Sequence, residues 1–203
     1  MSDKFFFSNL LVKRQTSCPC CLRKLDKKKI KKIINLPKYP ITEFYRSNKA
    51  KLIKKSKIDQ SVIFCKFCDH MFLQNILDVN KIYKNYITSS SSSRGAVACL
   101  ENFYTFIRKN TKNINGFNLV DIGGNDSTFL NMFRKHNKFK INVDPNATSK
   151  NNKIILKKVF LENLNFEKIL KTREKVAYCS SHTLEHLENP ILLLKNLSQI
   201  LKK

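Results

Sequence analysis

The stretch FNLVDIGGNDSTFL, residues 117–130, decides the fold. Phe117, Leu119, Val120 and Ile122 form a short apolar run, the length of a buried strand rather than of a core helix. Gly123 and Gly124 end the run in a turn. Ser127 then offers a cap for a helix in which Phe129, Leu130 and Phe133 share one face. A strand, a glycine turn and a helix in that order open a parallel α/β unit. The alternation continues downstream. FKINVDP (139–145) reads as a second strand stopped by Pro145, KIILKKVF (153–160) as a third and FEKILKT (166–172) as a short helix. KVAYCSS (175–181) reads as a fourth strand, and NPILLLKNLSQILKK (189–203) as a helix with Pro190 at its start. Buried strands alternating with helices imply a doubly wound, Rossmann-like sheet.

Ligands of such sheets bind at the carboxyl ends of the strands. Asp121, Gly123, Gly124, Asn125 and Asp126 follow the end of the first strand, and Asp144 ends the second. Glycines let a backbone approach a ligand, and the next helix offers free N–H groups. Asp144 can accept both hydroxyls of a ribose, or it can be a turn acid before Pro145. Glu185 and His186 lie just past the fourth strand. A histidine beside a carboxylate is a proton-transfer group near neutral pH; the same residues also suit a solvated helix-capping segment. His182, four residues earlier than His186, is the competing base.

Upstream, the chain has a different grammar. Cys18 and Cys21, and Cys65 and Cys68, are two CxxC pairs, and together they make a closed tetrahedral zinc site. The 43 residues between Cys21 and Cys65 exceed ordinary ribbon spacing, so they must carry structure of their own. They include the lysine-rich KLDKKKIKKII (24–34) and the proline segment LPKYPITEFY (36–45), which favours extended backbone. Cys20 and His70 are spare donors. After this module come a serine run at 89–93 and VACLENFYTFIRKN (97–110). In the latter, Val97, Leu100, Phe103, Tyr104 and Ile107 have helical spacing. The domain reading is a zinc-binding module over 1–80, a linker with a substrate loop and helix over 81–116, and the α/β domain over 117–203.

The chain of 203 residues carries 39 Lys and Arg against 15 Asp and Glu, a formal charge of +24. Such a field attracts anions, nucleic acid first among them. Yet the excess is spread evenly, net +14 over residues 1–90 and +10 over 91–203. The bases are mostly Lys in an Asn- and Ile-rich composition. That argues for a solvated surface over a nucleic-acid stripe, and a nucleotide diphosphate would feel the same attraction. No stretch reaches the roughly 18 apolar residues of a membrane helix, and the start lacks a signal-peptide cleavage site, so a cytoplasmic location is expected.

Taken in order, these motifs resemble the zinc-containing, S-adenosylmethionine-dependent C-methyltransferases of nucleotide-linked deoxysugars. The resemblance runs through the paired CxxC motifs, LPKYPITEFY, CKFCDHMFLQ (65–74), NYITSSSSS (85–93), VDIGGNDSTFL, VDP and LEHLENP. It implies that VDIGGNDSTFL and Asp144 bind S-adenosylmethionine, and that Tyr86, Glu185 and His186 face the sugar. On this reading His186 is the base, Glu185 its partner and Tyr86 a substrate-positioning or oxyanion group. The chain departs from the family at Ser127, usually Gly, and at Thr88, commonly Tyr. It also ends after the fourth strand and its helix, whereas family members continue. The resemblance therefore implies an incomplete methyltransferase domain, marginally stable alone. A nucleotide-sugar would be its substrate, and a second polypeptide its partner. Two other classes stay open, a methyltransferase with another acceptor and a non-catalytic zinc-binding interaction protein.

Overall fold

A computed structural model of the chain describes residues 13–40, 57–78, 83, 88–134, 138–161, 164 and 175–201. The chain divides into two compact units, one of residues 1–85 with 188–191 and one of residues 86–187 with 192–203.

The first unit is antiparallel. Strand β1 (Lys13–Arg14) pairs with β5 (Asn75–Ile76), and β2 (Ile30–Pro40), β3 (Lys57–Cys65) and β4 (Met71–Leu73) form a sheet in the order β2-β3-β4. The long insert between the CxxC pairs thus supplies the arms of an antiparallel pair. Pro37 and Pro40 sit within β2, where the register shifts between Leu36 and Tyr39, as expected of prolines that cannot donate to a ladder. The core is small: Ile63 and Phe72 with the side chains of Cys18 and Cys65, bordered by Leu25 and Ile30.

The second unit is α/β. Helix α1 (Arg94–Asn110) precedes β6 (Asn118–Ile122), α2 (Thr128–Met132), β7 (Lys140–Val143), β8 (Ile154–Lys157), β9 (Val176–Ser180) and α3 (Pro190–Leu201). The four strands form one parallel sheet in the order β8-β7-β6-β9. Counted within this unit, that is 3-2-1-4, so the strand order reverses between β6 and β9. Alternate residues send apolar side chains to opposite faces. Leu119, Ile154 and Cys179 join Phe129, Leu130 and Phe133 of the α2 segment and Leu100, Phe103, Tyr104 and Ile107 of α1. Val120, Ile122, Ile141 and Val143 meet Leu193, Leu197 and Ile200 of α3 on the other face. Helix α1 therefore packs its apolar face on the α/β core. No helix among the described residues is long and apolar enough to cross a membrane.

Helix α2 is shorter than its apolar pattern predicts. It ends at Met132, and the buried Lys140 donates from Nζ to the carbonyls of Leu130 and Phe133, both at 3.3 Å. A cation on the terminal carbonyls is favourable at a helix C-terminus. The helix expected over 166–172 lies outside the described residues.

Candidate metal centre and strand-end crevice

Cys18, Cys21, Cys65 and Cys68 converge, with all four sulfurs within 4.8 Å of one another. Cys18 and Cys68 are 3.6 Å apart and Cys21 and Cys65 are 3.8 Å apart. Tetrahedral zinc with thiolates at about 2.3 Å has sulfur–sulfur edges of roughly 3.8 Å. The four cysteines could therefore hold a metal ion such as zinc. Cys20 is exposed and His70 stacks on Phe72 at 5.9 Å, so neither spare donor belongs to the group.

The two knuckles are built alike, which spacing alone does not disclose. Cys18 N–H donates to Arg23 O and Cys65 N–H to His70 O, each at 2.9 Å. Leu22 N–H donates to Cys18 O and Asp69 N–H to Cys65 O, also at 2.9 Å. Leu22 (φ 61) and Asp69 (φ 55) both take the left-handed conformation at the same place in the turn. That region favours glycine, so each knuckle closes against a local backbone cost. Burial raises the Cys65 thiol, but backbone amides of Phe67 and Cys68 outweigh it and bring the group to about 7. Burial pushes the Cys18 thiol up to about 12. Around the cluster, Arg23 and Lys29 lie over the Phe67 ring at 4.4 and 5.4 Å. Both are cations suited to a site whose four thiolates would outnumber the metal charge.

In the second unit the loop after β6 lies at the carboxyl end of the sheet, where the order reverses. Gly123 has φ +79, and a Cβ there would collide with the Thr183 side chain, whose Cγ2 is 2.8 Å from that position. A Cβ on Gly124 would lie 2.5 Å from Asn142 Oδ1 and 2.8 Å from Asp121 Oδ2. The space above both glycines is thus filled by the protein's own side chains. Their absent side chains let Thr183, just past β9, and Asn142 of β7 pack over the loop. Thr183 Oγ1 and Ser180 Oγ both donate to Ile122 O at 3.1 Å, which ties the end of β9 to the end of β6.

Asn125 and Asp126 have a second task. Asn125 Nδ2 donates to Thr88 O at 3.0 Å, and Ser91 N–H donates to Asp126 Oδ2 at 2.9 Å. Their side chains pin the serine segment, including its 3-10 turn Ser90–Ser92, to the glycine loop. Asp126 Oδ1 also accepts from Thr128 N and Oγ1 at 3.1 and 2.6 Å. These bonds outweigh its partial burial and hold its carboxyl below the usual range. Asp126 rather than Ser127 therefore supplies the side-chain cap of α2. Ser127 sits at the cap position with φ 62 and is fully buried. Its Oγ donates to Thr148 O at 2.7 Å and accepts from Asn142 Nδ2 at 2.8 Å. Those two bonds offset a backbone conformation that glycine would adopt without cost.

Asp144, at the end of β7, is half-buried and accepts from Asn125 N at 3.2 Å and Asn146 N at 2.6 Å. Burial raises its carboxyl; the two amides oppose the rise. One amide comes from the glycine loop, so Asp144 is both turn acid and loop anchor, and each oxygen keeps a lone pair for a ligand. Asp121 is buried, and its carboxyl is pushed up to about 7 by desolvation and then by the Asp144 charge.

Past β9, Leu184–His186 form a 3-10 turn. Glu185 Oε1 lies 3.6 Å from Nδ1 of His182. His182 is exposed and left-handed, φ 53. Tyr86 lies outside the described residues. No protein-family model matches the chain, and no curated protein matches its sequence.

Proposed function

We propose that the chain acts as an S-adenosylmethionine-dependent C-methyltransferase on a nucleotide-linked keto-deoxysugar. One observation carries the reading. A glycine turn and two carboxylates, Asp121 and Asp144, meet at the carboxyl ends of parallel strands where the 3-2-1-4 order reverses. The motifs that resemble the family support the choice of cofactor and acceptor.

Asp144 and the Gly123–Gly124 turn would hold S-adenosylmethionine, which when bound supplies an electrophilic methyl group. The chain's own part is to orient the sugar, remove the acidic proton beside its ketone and shield the site from water. Two bases compete for the proton. His186 is favoured by the resemblance, and His182 by the Glu185 carboxylate at its Nδ1. The serine segment pinned by Asn125 and Asp126 supports a substrate loop, and it adjoins the Tyr86 position in sequence. Zinc belongs to the same proposal as a structural ion, and so does a cytoplasmic location, where thiols stay reduced. A second polypeptide adding strands beside β9 is part of it as well. β9 is an edge of the described sheet, and Leu192 and Leu194 of α3 are exposed.

Calorimetry with S-adenosylhomocysteine tests the cofactor, with saturable binding expected and none if the reading fails. Proton exchange at carbon 3 of a 4-keto nucleotide-sugar in deuterated water tests the base. Loss of exchange in His186→Ala or in His182→Ala assigns it, and undiminished exchange in both removes both.

A second reading, a zinc-binding interaction protein without catalysis, is favoured by the first unit's sheet. There Ile34, Met71 and Leu73 are exposed. Failure to bind S-adenosylhomocysteine with the fold intact would favour it.

A further inference from the structure

Asp121 and Asn142 are register partners on the adjacent parallel strands β6 and β7, so their side chains lie on the same face of the sheet. Both are buried, Asn142 completely. The Asn142 amide is oriented by its neighbours. Nδ2 donates to Asn125 O at 2.9 Å and to Ser127 Oγ at 2.8 Å, so Oδ1 must point the other way. Oδ1 is the buried side-chain atom left without a hydrogen-bond partner among the described residues. Asp121 Oδ2 and Asn142 Oδ1 both lie within 3 Å of one point, the Cβ position above Gly124. Two acceptors on buried residues thus converge on one point, and neither has a donor from the described residues. A buried acceptor without a donor is destabilising, and two facing each other repel as well. A single proton removes both penalties.

We propose that Asp121 and Asn142 form a buried proton-holding pair, in which the Asp121 carboxyl keeps its proton well above the ordinary carboxyl range and donates its O–H to Asn142 Oδ1. The crevice then presents one negative charge, that of Asp144, rather than two. The neighbouring groups agree. On β9 the register partner of Asp121 is Cys179, whose thiol is pushed up to about 12 by burial and then by Asp121, so it stays neutral and brings no charge. On β7 the Lys140 ammonium is committed to the carbonyls of Leu130 and Phe133. In the loop Asp126 is committed to Ser91 and Thr128. From β7 Asp144 adds only a like charge. Nothing here depends on the identity of the crevice ligand, so the pair can be tested on the free protein.

The test is carboxyl-carbon NMR on the intact, metal-loaded chain labelled at aspartate, with Asp121→Asn to assign the signal. Asp121 should remain protonated through pH 6 and titrate near the value of about 7, with the Asn142 side-chain amide shifting at the same midpoint. A carboxylate signal for Asp121 at pH 5 would overturn the proposal, as would a titration that leaves Asn142 unmoved. Stability gives a second readout. The folded pKa lies above the ordinary 3.8, so the native state holds a proton the unfolded chain has released. Stability should therefore fall as pH rises from about 4 towards about 7 and level off above it. Asp121→Asn keeps a donor towards Asn142 and cannot ionise, so its melting temperature should vary less over that window and exceed wild type at pH 8. An equal pH dependence in both proteins would count against the pair.

Discussion

Among the described residues of the first unit the buried apolar side chains are few, Ile63 and Phe72 beside four sulfurs, and both CxxC turns close through left-handed residues. In the second, apolar clusters cover both faces of a four-stranded sheet, and the left-handed Ser127 is held by two side-chain hydrogen bonds. Among the described residues the first unit buries little apolar surface, and a metal held by its four cysteines would supply the cross-link. The second folds by burial, and its polar residues stabilise a loop rather than the whole unit. Order in the one should follow the metal; order in the other should not.

The largest effect should separate the units outright. Metal chelation removes a term of about 10–16 kcal/mol in comparable four-ligand zinc sites. Hydrogen exchange on the full chain should lose protection over 57–65 and 71–73 and keep it over 118–122 and 140–143. Equal loss in both units would break the comparison, and full protection without metal would remove the metal's structural role. Cys65→Ser should give the same pattern.

Next comes Gly123→Ala. It forces a side chain into left-handed backbone and against Thr183. It should cost about 3 kcal/mol, measured by denaturant melts of the second unit. Thr183→Ala should relieve part of that cost in the double variant. Strict additivity would show that the packing of Thr183 over the loop is irrelevant to the glycine.

Asp144→Ala sharpens the comparison at the crevice. Ligand affinity should fall by roughly 1.5–3 kcal/mol if both ribose hydroxyls donate to it, read by calorimetry with S-adenosylhomocysteine. Unchanged affinity would leave Asp144 only its bonds to Asn125 and Asn146.

The smallest effect belongs to Arg23→Ala. It removes the nearer of the two cations over Phe67 and should lower first-unit stability by about 0.5–1 kcal/mol without displacing the metal. Metal release would mean that the surrounding cations hold the thiolates charged.

What the amino-acid order determined by itself is what depends on short-range pattern. The CxxC pairs announced a four-sulfur cluster because two residues between cysteines bring both sulfurs to one side of a turn. Apolar runs of strand length, split by Gly123-Gly124 and Pro145, announced β6 and β7, and Pro190 announced the start of α3. What only the tertiary structure decided is where polar groups find partners across the fold. Asn142 and Asp121 are 21 positions apart yet adjacent in register, and Thr183 lies over Gly123 from the end of another strand. Asn125 and Asp126 also hold the serine segment, through Thr88 and Ser91 that pack beside them. Glu185 lies 3.6 Å from Nδ1 of His182, a residue whose left-handed backbone no local pattern announces. Apolar periodicity is written locally along the chain. Hydrogen bonding is directional and short-ranged in space, so its partners are settled only once strands from distant parts of the sequence lie side by side.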